Sequence, residues 1–539
     1  MGARPSSAIR SIWMLSREYG TLAGAGGVKD MVRQLARSLA RWSGRSVHVA
    51  LPCYGFMNPE ALGFSLLADP LDLARPLEYE VDMDYVHQER RERVRVWTAR
   101  QERVTIYLLE SPRFLEKQGV YTYTLADQQK NLVQRQGQGH YDYFAMNILL
   151  QKGALDLMLL LGVRPDIIHC HDGHTALVPA MIREHGGLRH FFRQTGTLVT
   201  IHNGGLGYHQ EVNDLDFAQA VTGLPERVII ASCLGSDFDP FLAAAPYALF
   251  NTVSENYARE LQETDDDRLT GMLGHLLLER GVRLAGITNG IDPGEYDPLA
   301  PEQSGLAAAF DPAAAGPLTG KQRCRRDLLR RCGVNARIPG IRQGGFLDCP
   351  GTWPLLTFVG RLSEQKGVDL LLSALAELLA RDPAFAFLLL GTGGEAQEEA
   401  VLKLAEAYPG RVCVLLGYDP VLANQVYAAG DFFLIPSRYE PCGLTDFMAQ
   451  LFGNLPIVHA VGGLVKVVND ETGLSYEGDG AEPLIHTLDR ALALYRTKPE
   501  KVRVMQRRAV QVIRERYTWQ RVMQHYLKLY KRASPGPFV

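Results

Sequence analysis

Three short segments set glycines, cations and a carboxylate at spacings that suit an anionic ligand. Gly24-Ala25-Gly26-Gly27-Val28 lies between an apolar run at 11–16 and a helical stretch at 29–41. Glycines there let the backbone approach an anion, and a helix start adds unpaired N–H groups, although a plain tight turn would need the same residues. Arg361 and Lys366 fall where an apolar run at 355–360 gives way to a helical pattern. Two cations at the carboxyl edge of a parallel strand suit a diphosphate; solvated surface charges are the alternative. In Pro436-Ser437-Arg438-Tyr439-Glu440-Pro441-Cys442-Gly443-Leu444-Thr445, Glu440 reads as the start of a helix with Pro441 in its first turn. Local N–H groups would then favour the ionised carboxylate, which could contact a sugar or steady a developing positive charge, or simply cap its helix. In His169-Cys170-His171-Asp172-Gly173-His174, two histidines share a strand face, but no further ligands follow at metal-site spacing, so no metal is expected.

The elements that must position these residues are strands of a parallel kind. Apolar runs at 11–16, 47–52, 104–109, 166–170, 197–202 and 248–253 alternate with amphipathic helical stretches, as in βαβ units. A second series starts afresh at 355–360 and continues at 385–390, 412–416, 432–436 and 456–459. The pattern predicts an α/β chain of two doubly wound, Rossmann-like domains, with the cleft between them as the default ligand site. A Gly- and Pro-rich stretch at 336–354 reads as the linker, and a helical pattern after Pro499 is interrupted near 517–519. The 57 Lys and Arg nearly balance the 60 Asp and Glu, which argues against a nucleic-acid partner held by bulk charge. The eight cysteines include no C-x-x-C pair, and neither a long apolar span nor a secretory leader is evident, so a soluble cytoplasmic protein with free thiols is expected.

Taken together, the GG turn, His171-Asp172-Gly173-His174, Thr200-Ile201-His202-Asn203, Asn289-Gly290-Ile291-Asp292, GRLSEQKG and PSRYEPCGLT resemble the bacterial glycogen synthase and plant starch synthase family, in order from about Ser16 to Trp519. The resemblance implies a GT-B fold: an acceptor-side domain at 1–338, a nucleotide-sugar-binding domain at 339–515, and a last helix at 516–539 crossing back to the first domain. It implies retaining transfer of glucose from a nucleoside diphosphate glucose, ADP-glucose or UDP-glucose, to the non-reducing end of an α-1,4-glucan, with no cofactor. Glu440, His202, Arg361 and Lys366 would be catalytic. Gly26, Gly27, Asn289, Tyr418, Cys442, Gly443, Leu444 and Thr445 would hold the donor, and Asp172, His174 and Asn203 would face the sugar or acceptor. Met448, where related transferases carry a second glutamate, favours the glucan-synthase reading.

The chain departs from the family pattern in four places. Gly24 stands where a lysine usually meets the donor's phosphate, and Gly173 stands where relatives carry tryptophan. His459-Ala460-Val461 replaces an arginine-rich approach to Gly462-Gly463, and Asp446 replaces a neutral amide. These changes predict less positive charge around the donor and a wall missing from the sugar pocket. They leave open a GT-B transferase with another acceptor, or a glucan-binding relative without turnover.

Overall fold

A computed structural model describes residues 9–534 and divides the chain into two compact units: residues up to Gly290 together with those from Trp519, and Ile291–Thr518. The first unit is built on a ten-stranded sheet. Its strands are β1 (Ser11–Leu15), β2 (Ser46–Pro52), β3 (Ser65–Leu66), β4 (Glu78–Asp82), β5 (Arg91–Gln101), β6 (Val104–Glu110), β7 (Ile167–His171), β8 (Gly196–Ile201), β9 (Leu249–Thr252) and β10 (Ala285–Gly286). They run in the order β10-β9-β8-β7-β1-β2-β6-β5-β3, with β4 on β5. The stretch from β10 to β6 is parallel and β5 is antiparallel to β6. Parallel strands are covered on both faces, which is why β1, β7 and β8 read as near-continuous apolar runs and are buried along nearly all their length. The antiparallel extension β3–β5 was not anticipated: its alternating, charge-rich strands carry no buried-strand signature.

Helix α1 (Val28–Trp42) buries Met31, Val32, Leu35 and Leu39 on one face, the pattern of an amphipathic helix laid on a sheet. The last helix, α4 (Trp519–Ala533), packs beside α1: Trp519 Nε1 donates to Gln34 Oε1 at 2.5 Å.

The second unit carries a seven-stranded sheet of β11 (Arg342–Gly345), β12 (Leu355–Leu362), β13 (Ala386–Gly393), β14 (Val412–Leu416), β15 (Phe432–Ile435), β16 (Leu455–His459) and β17 (Leu474–Tyr476), in the order β11-β14-β13-β12-β15-β16-β17. Only β11 is antiparallel. The strand order reverses beside β12, the place where open α/β sheets bind ligands.

The boundary read at 338/339 lies at 290/291 in the contacts. Helix α2 (Thr319–Arg331) belongs to the second unit: Lys321 Nζ donates to Ala428 O and Phe452 O, each at 3.0 Å, and Arg325 pairs with Asp431 at 2.6 Å. Part of the supposed linker is β11 itself, which hydrogen-bonds to β14. Gly and Pro there mark an edge strand and its turns rather than a tether. All eight cysteines are free, and no helix among the described residues is long and apolar enough to cross a membrane.

Candidate functional site

In the first unit, three neighbouring strands end together. Leu15 is paired with Cys170 and His171 with Thr200, so the residues following β1, β7 and β8 meet at the carboxyl edge. Asp172, at φ 59°, accepts from His202 N at 2.6 Å and from Asn203 N at 3.4 Å, tying the β7 end to the β8 end. Burial pushes its carboxyl up to about 7, against the pull of those two N–H groups. His171 Nδ1 lies 3.0 Å from His202 Nε2, and His169 is spent on Tyr530 Oη at 2.9 Å and Thr200 Oγ1 at 2.6 Å. Burial holds His202 down to about 3 and drives His169, His171 and His174 well below the usual range, so these imidazoles are neutral. Among the described residues, no group of three His, Cys, Asp or Glu is placed to hold a metal ion.

The glycine loop turns inward. Ala25 N and Gly26 N donate to Glu18 Oε2 at 2.8 and 3.2 Å, while Tyr121 Oη donates to Glu18 Oε1 at 2.6 Å. Gly27 is the N-cap of α1. Glu18 therefore already occupies loop donors that the sequence offered to a phosphate. Arg17 beside it is buried, donating to Tyr54 Oη at 3.2 Å and Asn147 Oδ1 at 3.3 Å, and lying over the Tyr121 ring. Neither Arg17 nor Glu18 was singled out from the sequence; the signal was a pair of charges directly after the first strand. His174 is buried against Tyr121, Asn203 Oδ1 accepts from Gly205 N at 2.9 Å, and Asn289 is buried with its Oδ1 unpaired.

Gly173 is not an empty wall. A Cβ on it would stand 2.0 Å from His209 O, so the backbone of the 203–211 loop occupies the space beside it. That loop is pinned by His209, whose ring bridges Asp239 Oδ2 at 2.8 Å and Gly204 O at 2.6 Å.

In the second unit, Arg361 is exposed near the end of β12, paired through its backbone with β13, and its side chain has no hydrogen-bond partner among the described residues. Lys366 Nζ donates to Glu440 Oε2 at 2.5 Å and Ser437 Oγ to the same oxygen at 3.0 Å. Burial alone would raise the Glu440 carboxyl; Lys366 and Ser437 outweigh it and hold it below the usual range. The helix read at Glu440 begins instead at Thr445, as α3 (Thr445–Leu451), because Gly443 at φ 70° breaks the helical path. Glu440 is thus kept ionised by Lys366 rather than by a helix start. The N–H groups of Gly443, Leu444 and Thr445 have no acceptor among the described residues.

Gly462 and Gly463 approach protein backbone: Cβ atoms there would each lie 2.1 Å from a carbonyl oxygen, of Glu440 and Cys442 respectively. His459 Nδ1 meets Ser437 O at 3.0 Å, and Tyr418 is 77% exposed, its ring open to a stacking partner. The charge deficit expected from Asp446 is met by Lys466, whose Nζ lies 3.1 Å from Asp446 Oδ1.

Residues 11–276 match the model of the starch synthase catalytic domain, and residues 353–493 that of glycosyl transferases group 1. The glycogen synthase of Anaeromyxobacter sp. is 33% identical, and that of Syntrophotalea carbinolica 30% identical, each over 97% of this chain and 99% of the relative. The catalytic domain of starch synthase IV from Arabidopsis thaliana, solved with ADP and acarbose, superposes with a TM-score of 0.77 at 24% identity, covering 98% of this chain and 100% of its own. The sucrose-phosphate synthase of Thermosynechococcus elongatus gives 0.56 at 18% identity over 97% and 98% of the two chains. These neighbours share the GT-B fold.

Proposed function

The chain belongs to the glycogen and starch synthase family, and from that premise we propose that it moves glucose from a nucleoside diphosphate glucose to the non-reducing end of an α-1,4-glucan, with retention at the anomeric carbon. ADP-glucose is the donor in this reading, UDP-glucose the alternative, and the cytoplasm its place.

One observation carries the reading: a carboxylate held ionised by a lysine, at a turn with open N–H groups. As the bond from glucose to phosphate breaks, negative charge gathers on the departing diphosphate and positive charge at the anomeric carbon. Arg361, Lys366 and the N–H groups of Gly443, Leu444 and Thr445 meet the first charge. Because they are fixed before the reaction, no reorganisation is needed as it develops. Glu440 meets the second. Tyr418 stacks on the base, and Cys442 closes the turn with Gly443. Neutral His202, oriented by His171 and by the bond of its N–H to Asp172, offers a ring nitrogen to a glucose hydroxyl. Asn203 and His174 line the sugar side. Gly27, at the start of α1, and Asn289 complete the donor set, while the N–H of Gly26 is taken by Glu18.

A second reading keeps this chemistry with another acceptor. It is favoured by the backbone of the 203–211 loop against Gly173, which reshapes the sugar side. Release of nucleoside diphosphate from ADP-glucose and UDP-glucose, measured with and without glycogen primer, tests both. Primer-dependent release supports the first reading; release with a small oligosaccharide but not with glycogen supports the second. No release from either donor with any acceptor overturns both and leaves a glucan-binding protein without turnover.

A further inference from the structure

The side chain of Lys466 is only 5% exposed and ends a short, largely buried turn, Gly462–Lys466. Its ammonium donates to Cys442 O at 2.6 Å, Gly443 O at 2.9 Å and Gly463 O at 3.1 Å. An ammonium has three N–H donors, so the three carbonyls use all of them. Asp446, fully buried, pairs with the ammonium through Oδ1 at 3.1 Å. It acts as a counter-charge. The Phe447 ring closes the remaining side, 4.6 Å from the ammonium to its centroid.

The orientation of these carbonyls has a direct consequence. In a trans peptide the C=O and the N–H of one plane point in opposite directions. Cys442 C=O shares its plane with Gly443 N–H, and Gly443 C=O shares its plane with Leu444 N–H. Drawing the two carbonyls onto Lys466 therefore turns those two N–H groups away from it, and these are N–H groups without an acceptor among the described residues. Gly443 itself leaves little alternative, since a Cβ there would stand 2.8 Å from Leu464 Cδ2 and 3.1 Å from Lys466 Nζ.

We infer that Lys466 is a positioning residue: a tethered cation inside a cage of carbonyls that aims the N–H groups of Gly443 and Leu444 at the donor's diphosphate. The inference rests on the donor site proposed above and adds to it a residue that touches no substrate. A cage built for an ammonium has a chemical signature. If the lysine side chain is cut back, a free ammonium or methylammonium ion can take its place, whereas tetramethylammonium, which has no N–H, cannot.

The experiment measures ADP and UDP binding by titration calorimetry to the wild type, to Asp446→Asn, and to Lys466→Ala in the Asp446→Asn background. The second substitution avoids leaving a buried carboxylate uncompensated, which could itself unfold the protein. The expected result is binding roughly ten-fold or more weaker in the double variant than in Asp446→Asn, as for loss of oriented anion donors. Ammonium and methylammonium chloride should restore most of that loss, and tetramethylammonium chloride at the same ionic strength should not. Undiminished binding by the double variant overturns the inference. So does a loss that no ammonium ion restores in a variant with an unchanged unfolding midpoint, which would assign Lys466 to packing alone. A double variant that does not fold is replaced by Lys466→Met/Asp446→Leu, read the same way except that no ion should restore it. Wild type that binds neither nucleotide overturns the donor site as well; wild-type binding matched by the variants overturns the present inference alone.

Discussion

At Gly24, where the glycogen synthase pattern leads one to expect a lysine, the space above the glycine is not free. A Cβ there would lie 2.3 Å from Lys29 Cδ and 2.7 Å from Lys29 Cβ, so the stem of Lys29 crosses the α-carbon. Gly24 does not have a positive φ, and the obstacle to a side chain is therefore contact rather than backbone strain. Gly24→Lys alone should leave the KM for the donor unchanged or raise it, since the new stem must displace Lys29. Combined with Lys29→Ala it should lower that KM, by roughly the ten-fold that about 1.4 kcal/mol represents. A double-mutant cycle on KM measures the coupling, and additive effects would show that the two side chains do not compete. At this scale Lys366, Glu440 and Arg361 stood out as candidates, the cations by their place at a strand end and Glu440 through a helix start that lies instead at Thr445. Lys466 was not. A single lysine after a glycine pair has no periodicity to mark it as buried, and its partners are carbonyls, which every residue carries. The expected loss of positive charge around the donor was read from Asp446 without the lysine that neutralises it.

Among elements, the parallel strands were the most legible, since apolar runs alternating with helices leave only one kind of sheet. Adjacency of the strand ends also followed from fold class, and it places Asp172 against His202 N. The loops were less legible, and 203–211 shows why. Its course depends on contacts distant in sequence, His209 on Asp239 and Gly204 N on Tyr257 Oη. Gly173 is the counterpart of that course, because His209 O stands where its Cβ would be. Restoring the tryptophan should therefore not rebuild a wall. Gly173→Trp must push the loop off its anchors, costing about 1–3 kcal/mol or more as an overpacked site does. For a chain of this size that corresponds to a fall in the unfolding midpoint of about one to three degrees, which calorimetry would detect. An unchanged midpoint would mean that the loop yields without cost. Gly173→Ala, facing the same carbonyl, should fall in the same direction.

Across the whole molecule, the titrating groups divide unequally between the two units, and this gives the protein an expected response to acid. His48, His140, His169, His171, His174, His185 and His202 all lie in the first unit, and burial lowers every one of them: His48 and His140 to about 4, His202 to about 3, His169, His171 and His174 well below the usual range, and His185 in the same direction. A histidine held neutral in the folded state contributes stability that is present above its unfolded value near 6.5 and is lost as pH falls through the folded one. Asp172 runs the other way: raised to about 7, its contribution is present below about 3.8 and lost as pH rises to 7, so it offsets part of the histidine effect. His209, raised by its bond to Asp239 despite burial, also opposes the trend. The seven lowered histidines outnumber these two groups and Asp156, which burial raises to about 6. The second unit holds only His459 and His486, and its lowered carboxylates, Glu440, Asp369 and Asp382, lose their contribution only as pH falls below the ordinary carboxylate range. Acid should therefore unfold the first unit ahead of the second, beginning below pH 6.5 and taking up several protons. Trp13, Trp42, Trp97 and Trp519 report on the first unit and Trp353 on the second. A variant keeping only Trp353 should show its fluorescence transition at lower pH than the wild type, whose signal is dominated by the other four. Coincident transitions would mean that the two units unfold as one.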